Sequence, residues 1–571
     1  MIKNYFLCCV LLAMSFQMSA QDDHSFQWRY ESALGANMFQ LDVLPLADRG
    51  YVCSGLVESP VGSAFYYPYI SRIDCQGKVV WAKMFNQATE TANNVSGRVL
   101  QISETDFVLV GNVGFYFTTP HNDIFLARVD GEGNTMWTRR IGGGTNNQDV
   151  AHAAIVASDG NIVLAGQTGS WGTDAGTNNN YTDQYFVKVS PAGNILWTRT
   201  VGNSQKVDRA FDIVELPDQS LVAAGSYIHT GGTFYANLLK MDKNGTVLWH
   251  KVFGEGVAPQ ANHAFGVLPT SDGGLLVTGS STNLQPNFQG YDDFLIIKTD
   301  ANGNPQWSRV VTGGGPDLFE NASGAVEKPN GDFAIMCATS SFPTIGFVGN
   351  KYALLTLSPT GSLVNLKTYN LGSSHYPRIH RHPQENSFLI SGFTNWTGYG
   401  GNSNRFDPLL INLDADFEVS CLFNDYTGFT SLFNPTFDFD NAPGVLGVGG
   451  MVVNDLADAS NFELIQDAVC EFRPYQACAP FSAVNDYANT PQGFSVFPNP
   501  ARAGSPISLR WEAPGVEQVN IFDVHGRLIR QHFPVPGVSN LEVRIESAVI
   551  YWVYLRYQSR SKAEKVIVLQ K

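Results

Sequence analysis

Carboxylates recur at one kind of place in this chain: Asp123, Asp183, Asp293 and Asp407 each open an apolar, alternating run. A ring of such groups could hold a metal ion or exchange protons with a substrate. Aspartate at the edge of a loop also bonds nearby backbone amides, and that local role is the expectation here. Histidines form a second set. His121, His152, His229 and His263 fall in separate stretches, whereas His375, His380 and His382 come together in HisTyrProArgIleHisArgHis. Alternate side chains of a strand share a face, so His380 and His382 would stand together, as a metal pair or as part of a polar strand near an axis. No Gly-x-Ser-x-Gly elbow accompanies them, and turns such as AspAlaAsnGlyAsn at 300–304 lack the terminal Glu of a calcium loop. Glycosidase carboxylates meet in space and leave no spacing to read. No catalytic residue, metal ligand or cofactor is therefore assigned.

The third set is aromatic. Tyr66, Tyr67, Tyr116, Trp171, Tyr181, Tyr235, Tyr291, Trp396 and Tyr399 fall in or beside long connecting segments rich in Gly, Asn and Thr. Rings among amides and hydroxyls suit a sugar or a protein surface, and these nine are the candidate ligand-binding residues. Their competing use is as local cores that anchor long loops.

The elements that must position these groups repeat. In residues 183–202 an apolar alternation through Phe186, Val187 and Val189 reads as a strand, Pro191 to Asn194 as a tight turn, and the run through Trp197 as a returning strand. Trp28, Trp81, Trp137, Trp249 and Trp307 are counterparts of Trp197, and the register continues to Asn365 and Cys421 in steps of 52 to 60 residues. A second marker, Gly166, Gly225, Gly279 or Cys337, follows fifteen residues after Ala151, Ala210, Ala264 or Ala322. Each unit therefore holds two hairpins, or four strands.

Around Trp28 stands a last strand with nothing before it, and residues 430–470 hold three strand-like runs with no fourth. A ring that joins the two fragments leaves no open edge. Counting fourth strands from 28 to 421 gives an all-β, eight-bladed β-propeller over residues 21–470, with seven blades as the fallback. The blade tryptophans are expected to dock neighbouring blades. First-to-second and third-to-fourth connections are tight turns and the others are long, so one face of the disc is plain and the other elaborated.

Residues 1–20 have a Lys, an apolar core and small residues before Gln21, the pattern of a signal peptide. No later apolar run is long enough to span a bilayer. Of the six cysteines beyond the signal, Cys53 and Cys75 share one repeat and Cys421, Cys470 and Cys478 cluster near the end of the array, so pairing is expected within those groups; Cys337 is expected as a buried thiol. Net charge is −15, although the last 79 residues carry 10 basic and 6 acidic side chains. The acidic bulk argues against nucleic acid or an anionic membrane as partner.

Residues 471–492 read as a linker. From Gly493 the composition changes to a small antiparallel β-sandwich with PheSerValPheProAsnPro, AspValHisGlyArg, IleTyrTrpVal and a basic closing strand. Residues 493–571 resemble the C-terminal sorting domain of Bacteroidetes type IX secretion cargo proteins, on Pro498, Asn499, Pro500, Asp523, Gly526, Arg527 and Tyr551; Val549 stands where that family usually has Gly. The resemblance implies passage through the periplasm, translocation across the outer membrane by the type IX machinery, and release or surface attachment. The repeats resemble the secreted propeller arrays of such proteins, a likeness that carries no activity. The Trp repeat is also similar to that of eight-bladed quinoprotein dehydrogenases, but without adjacent mature cysteines or a cofactor carboxylate set the likeness is architectural. The expected function is a secreted or cell-surface, non-enzymatic binding propeller for glycan or protein. A polysaccharide hydrolase or lyase on the same scaffold is the alternative, and a structural surface component the third.

Overall fold

Alternating apolar side chains fold into antiparallel four-strand meanders, because each strand buries both faces between neighbouring sheets. The computed structural model describes residues 26–414 except 33–35, 60, 63–64, 87–96, 116–120, 144–146, 174–180, 229–232, 255–260, 283–291, 313–319, 340–350, 370–376, 383–386 and 395–405, together with strands between 423 and 569. Seven meanders form the blades of a propeller: blade 1 (38–86), blade 2 (98–141), blade 3 (149–202), blade 4 (209–254), blade 5 (262–312), blade 6 (320–369) and blade 7 (378–413). Blade 7 takes its fourth strand from Phe26–Ser32, which pairs antiparallel with Asp407–Leu413, Trp28 opposite Leu410. Among the described residues no helix is long and apolar enough to cross a membrane.

The count of eight is thus corrected to seven. Residues 423–471 do not build a three-strand set; among the described residues they form six strands of three or four residues and one of eight, each of which adds a fifth, antiparallel strand to a different blade. Phe423–Asp425 pairs with blade 6, Ser431–Phe433 with blade 5, Asp438–Asn441 with blade 4, Val445–Gly447 with blade 3, Val452–Asn454 with blade 2, Asp458–Asn461 with blade 1, and Leu464–Glu471 with the closing strand Phe26–Ser32. The chain returns once around the ring against the order of the blades. Runs of three or four residues are too short for a blade interior but sufficient to pair an edge. The strand around Trp28 does meet the 430–470 segment, on its outer side. Cys421, the supposed eighth marker, lies outside the described residues.

The tryptophans dock blades as expected. Trp81, Trp137, Trp197 and Trp307 donate their indole N–H to carbonyls in the third-to-fourth-strand turn of the next blade: Gly131 (2.8 Å), Pro191 (3.2 Å), Lys243 (3.3 Å) and Pro359 (3.0 Å). Trp249 lies under Gly303 of the next such turn. Two residues on, a cation closes the clasp: Arg139, Arg199 and Arg309 stack over their tryptophans at 5.2, 5.7 and 5.2 Å and donate to the same turns. The turn glycine is required, since Gly245 has φ of 80° and a Cβ there would lie 3.2 Å from the Trp197 ring. At the ring closure Tyr30, two residues after Trp28, donates its hydroxyl to the Gly77 carbonyl of blade 1.

The second sequence marker is a cross-strand pair. Ala151, Ala210, Ala264 and Ala322 stand opposite Gly166, Gly225, Gly279 and Cys337, and one residue later each first strand bulges. The bulge swings a carbonyl over the glycine, so a Cβ at Gly166 would sit 1.7 Å from the Val150 oxygen.

Cys53 is free and buried, which corrects the expected Cys53–Cys75 pair; Cys75 is disulfide-bonded to another cysteine. Cys337 is a free, buried thiol. Between 494 and 569 the strands form one three-stranded and one five-stranded sheet. Asp523 and Tyr551 stand opposite each other in the latter. Pro498, Asn499, Pro500, Gly526, Arg527 and Val549 lie outside the described residues, as do the signal segment and, after Glu471, the linker.

Candidate functional site in the axial channel

In blades 1 to 6 the first strand ends in a tight turn on the plain face, and the seven first strands surround the axis, all of them lining one cavity. Their bulges decide what the axis is lined with. The bulged residue is Leu41, His152, Phe211, Phe265 or Ser323 in blades 1, 3, 4, 5 and 6. Three of them make an aromatic arc: the ring centres of His152 and Phe211 lie 5.1 Å apart, as do those of Phe211 and Phe265. His263 stacks on Phe265 at 5.7 Å and meets Phe234 at a tilt, ring centres 5.0 Å apart. All five rings are half-buried.

One residue nearer the plain face the wall becomes charged. A cavity of about 600 Å³ there is lined by Asp42, Arg98, Asp212, Arg378 and His380, with apolar walls such as Leu44, Leu100, Ile155 and Leu268 running toward the tight turns. Asp42 accepts from the Val99 N–H of blade 2 (3.2 Å) and lies 3.0 Å from His380 Nε2 of blade 7. Asp212 accepts from the Val267 N–H of blade 5 (3.0 Å). Both carboxylates thus tie one blade to the next. Burial alone would raise the Asp42 pKa, but the His380 hydrogen bond and the charges of His380, Arg98 and Arg378 hold it below the usual range. Burial lowers Arg98 to about 9, helped by the like charge of Arg378 and opposed by Asp42 and Asp212.

His380, singled out in the sequence, faces this cavity; His382 does not join it, being buried with its ring 6.4 Å from Tyr51. His375 lies outside the described residues. Asp123 pairs with Arg140, and Asp183 accepts from the Thr173 N–H (2.6 Å) and hydroxyl (2.9 Å), so both act locally. Asp293, beside Asp292, is pushed up to about 7 by burial and that neighbour. Asp149 and Asp208, not singled out, join long loops: Asp149 accepts from Gly143 N–H, Thr168 and Ser170, and Asp208 from Asn203 N–H and Ile228 N–H. Burial raises them to about 6 and about 7. Among the described residues no three His, Cys, Asp or Glu side chains are placed to hold a metal ion.

Of the nine candidate aromatic residues, Tyr235 is 4% exposed and packs with Tyr227 and Val252. Tyr67 packs on the core between blades 7 and 1, and Trp171 on the core of blades 2 and 3, its ring over Gly143. Tyr66 is half-buried against Phe39 (5.3 Å), within a cluster that includes Phe393 and Phe406. Tyr181 is half-buried, and Tyr116, Tyr291, Trp396 and Tyr399 lie outside the described residues. The axial rings escaped notice because a bulge resets the alternation from which facing is read; the only sequence signal was an aromatic residue directly after the repeat alanine, as at Phe211 and Phe265.

No family model matches the chain, and no curated protein matches it. Solved structures align with it at low identity. A protein of unknown function from Bacteroides caccae is 14% identical over 57% of this chain and 98% of its own, with a TM-score of 0.31. One of unknown function from Dyadobacter fermentans is 12% identical with the same coverage and a TM-score of 0.35. A fungal alcohol oxidase of the AA5 family, in complex with copper, is 11% identical over 95% of this chain and 99% of its own, with a TM-score of 0.38.

The arc yields a pH test. Burial lowers the His152 pKa to about 4, the Gln167 hydrogen bond opposing and Arg209, Arg98 and Arg378 assisting. The unfolded chain takes up a proton near pH 6.5 that the folded chain refuses until about 4, so stability falls as pH drops through that window. A His152→Phe variant, matching Phe211 and Phe265, should gain on the parent by ~2 kcal/mol between pH 7.5 and pH 5. Melting curves at the two pH values check this; a difference that does not change with pH would show that His152 is not desolvated.

Proposed function

We propose that the chain is an exported, non-enzymatic binding propeller, and that its ligand, a glycan or protein, is recognised at the axial mouth of the elaborated face. The observation that carries the reading is the arc of half-buried rings from His152, Phe211, Phe265, His263 and Phe234. Apolar planes bordered by the Ser226 hydroxyl, 2.6 Å from His263 Nδ1, suit the C–H faces and hydroxyls of a sugar or a side chain of a protein partner. Tyr66 and Tyr181, both half-buried, stand where second-to-third-strand connections end on the same face. Each ring contributes modestly, so several must act together. The carboxylates at the axis are engaged in blade-to-blade bonds, which favours binding over acid–base chemistry there.

The export half of the reading rests on the sequence of residues 493–571, which we take to be a β-sandwich sorting domain for type IX secretion, preceded by a signal peptide at 1–20 and leading to release or surface attachment. Fused to an inert periplasmic passenger, residues 493–571 should carry it to the surface of a Bacteroidetes host with an intact type IX system; retention in the periplasm would remove this part.

A glycan and extracellular-protein array, with product analysis on any hit, tests the binding half. Binding without turnover is expected, and replacing Phe211 and Phe265 together by Ala should weaken it about tenfold or more. Turnover would favour the hydrolase or lyase, silence across the array a structural role, and unchanged affinity in the double variant a site elsewhere.

A further inference from the structure

The axial cavity contains more positive charge than its surroundings explain. The chain has a net charge of −15, yet three arginines, Arg98, Arg378 and Arg381, line this cavity against two aspartates, with His380 beside them. The aspartates are committed elsewhere, Asp42 to Val99 N–H and His380, Asp212 to Val267 N–H. Arg98 is left over. It is 7% exposed, its Nη2 has no hydrogen-bond partner among the described residues, and the nearest carboxylate oxygen, Asp212 Oδ1, is 3.9 Å away, too far to bond. A buried guanidinium nitrogen left without a partner is costly unless something enters to meet it.

We propose that the cavity holds an oxyanion between Arg98 and Arg378: a carboxylate, sulfate or phosphate group, free or carried on a larger ligand. Two guanidiniums present several N–H donors to the planar or tetrahedral oxygens of such a group, a fit that a spherical halide lacks. The neighbouring charges agree: burial and the like charge of Arg378 depress Arg98, burial depresses Arg378, and the charges opposing both shifts are the two engaged aspartates. The cavity, about 600 Å³ and continued by Leu44, Leu100, Ile155 and Leu268 toward the plain face, has room for more than a bare ion. This site stands whether or not the aromatic arc binds a ligand, because it lies on the other side of the bulges and uses none of the arc residues.

The test is thermal melting and calorimetric titration of the full chain with sodium sulfate, phosphate, acetate and glucuronate, each against sodium chloride at matched ionic strength. Saturable stabilisation by at least one oxyanion beyond chloride is expected. Arg378→Gln should lose the oxyanion response, read as the difference between its own melts in oxyanion and in chloride; Arg98→Lys, which keeps the charge but loses the fork, should raise the half-saturating concentration about tenfold. Sulfate or phosphate saturating first would identify a free inorganic anion, and glucuronate saturating below acetate the acidic group of a sugar. A response no larger than that to chloride, or one equal in parent and Arg378→Gln, would overturn the proposal.

Discussion

A sheet that radiates from an axis ends in a strand whose outer N–H and C=O groups have no partner, and this protein has seven such edges to satisfy. It does so twice over. The first strand of the chain enters blade 7 as its fourth strand and closes the ring, so that breaking the ring requires stripping a strand from both of its neighbours. Residues 423–471 then pair with all seven outer strands in turn, their strands starting six to eight residues apart. Such a step, extended at ~3.3 to 3.6 Å per residue, spans about 20 to 29 Å, enough to reach from one blade's rim to the next. Strands of three or four residues suffice for six of the seven steps, because the blades supply the template.

Inside the ring the same backbone logic sets the axis. A bulge in the first strand displaces one residue from the pairing, and a glycine on the partner strand admits the displaced carbonyl. The residue so displaced borders the channel in each bulged blade, which is how three separated positions, His152, Phe211 and Phe265, come into ring contact. The next level down belongs to side chains that bridge blades, Asp42 to Val99 and Asp212 to Val267. Packing between blades and lining of the channel are therefore produced by the same few residues, and function at the axis is built on groups that already hold neighbouring sheets together.

The blade unit was legible in the sequence because its devices are chemical and repeat: an indole that needs a carbonyl, a turn glycine with positive φ above it, an alanine facing a glycine across a bulge. The number of blades was misread by one, since residues 430–470 contain runs with strand-like alternation, and alternation does not say whether a run is the inside of a blade or the rim of someone else's. The site was legible in one residue. His380 stood out in a histidine cluster, but its partner Asp42 is 338 positions away, and Arg98, Asp212 and Arg378 occur once each with no repeat to flag them. Groups that differ between repeats carry no period, although they are the ones that give a symmetric ring a particular chemistry.

The central claim is that the returning segment covers every outer edge. Hydrogen–deuterium exchange on the full chain and on a chain ending at residue 414 measures it directly, at the outward-pointing alternate amides within Thr200–Gly202, Lys251–Gly254, Val310–Thr312 and Lys367–Tyr369, the fourth-strand stretches that pair with fifth strands in blades 3, 4, 5 and 6. Protection at these positions in the full chain, lost on truncation while the third strands remain protected, is the predicted result. Equal, rapid exchange of those outer amides in both proteins would contradict it.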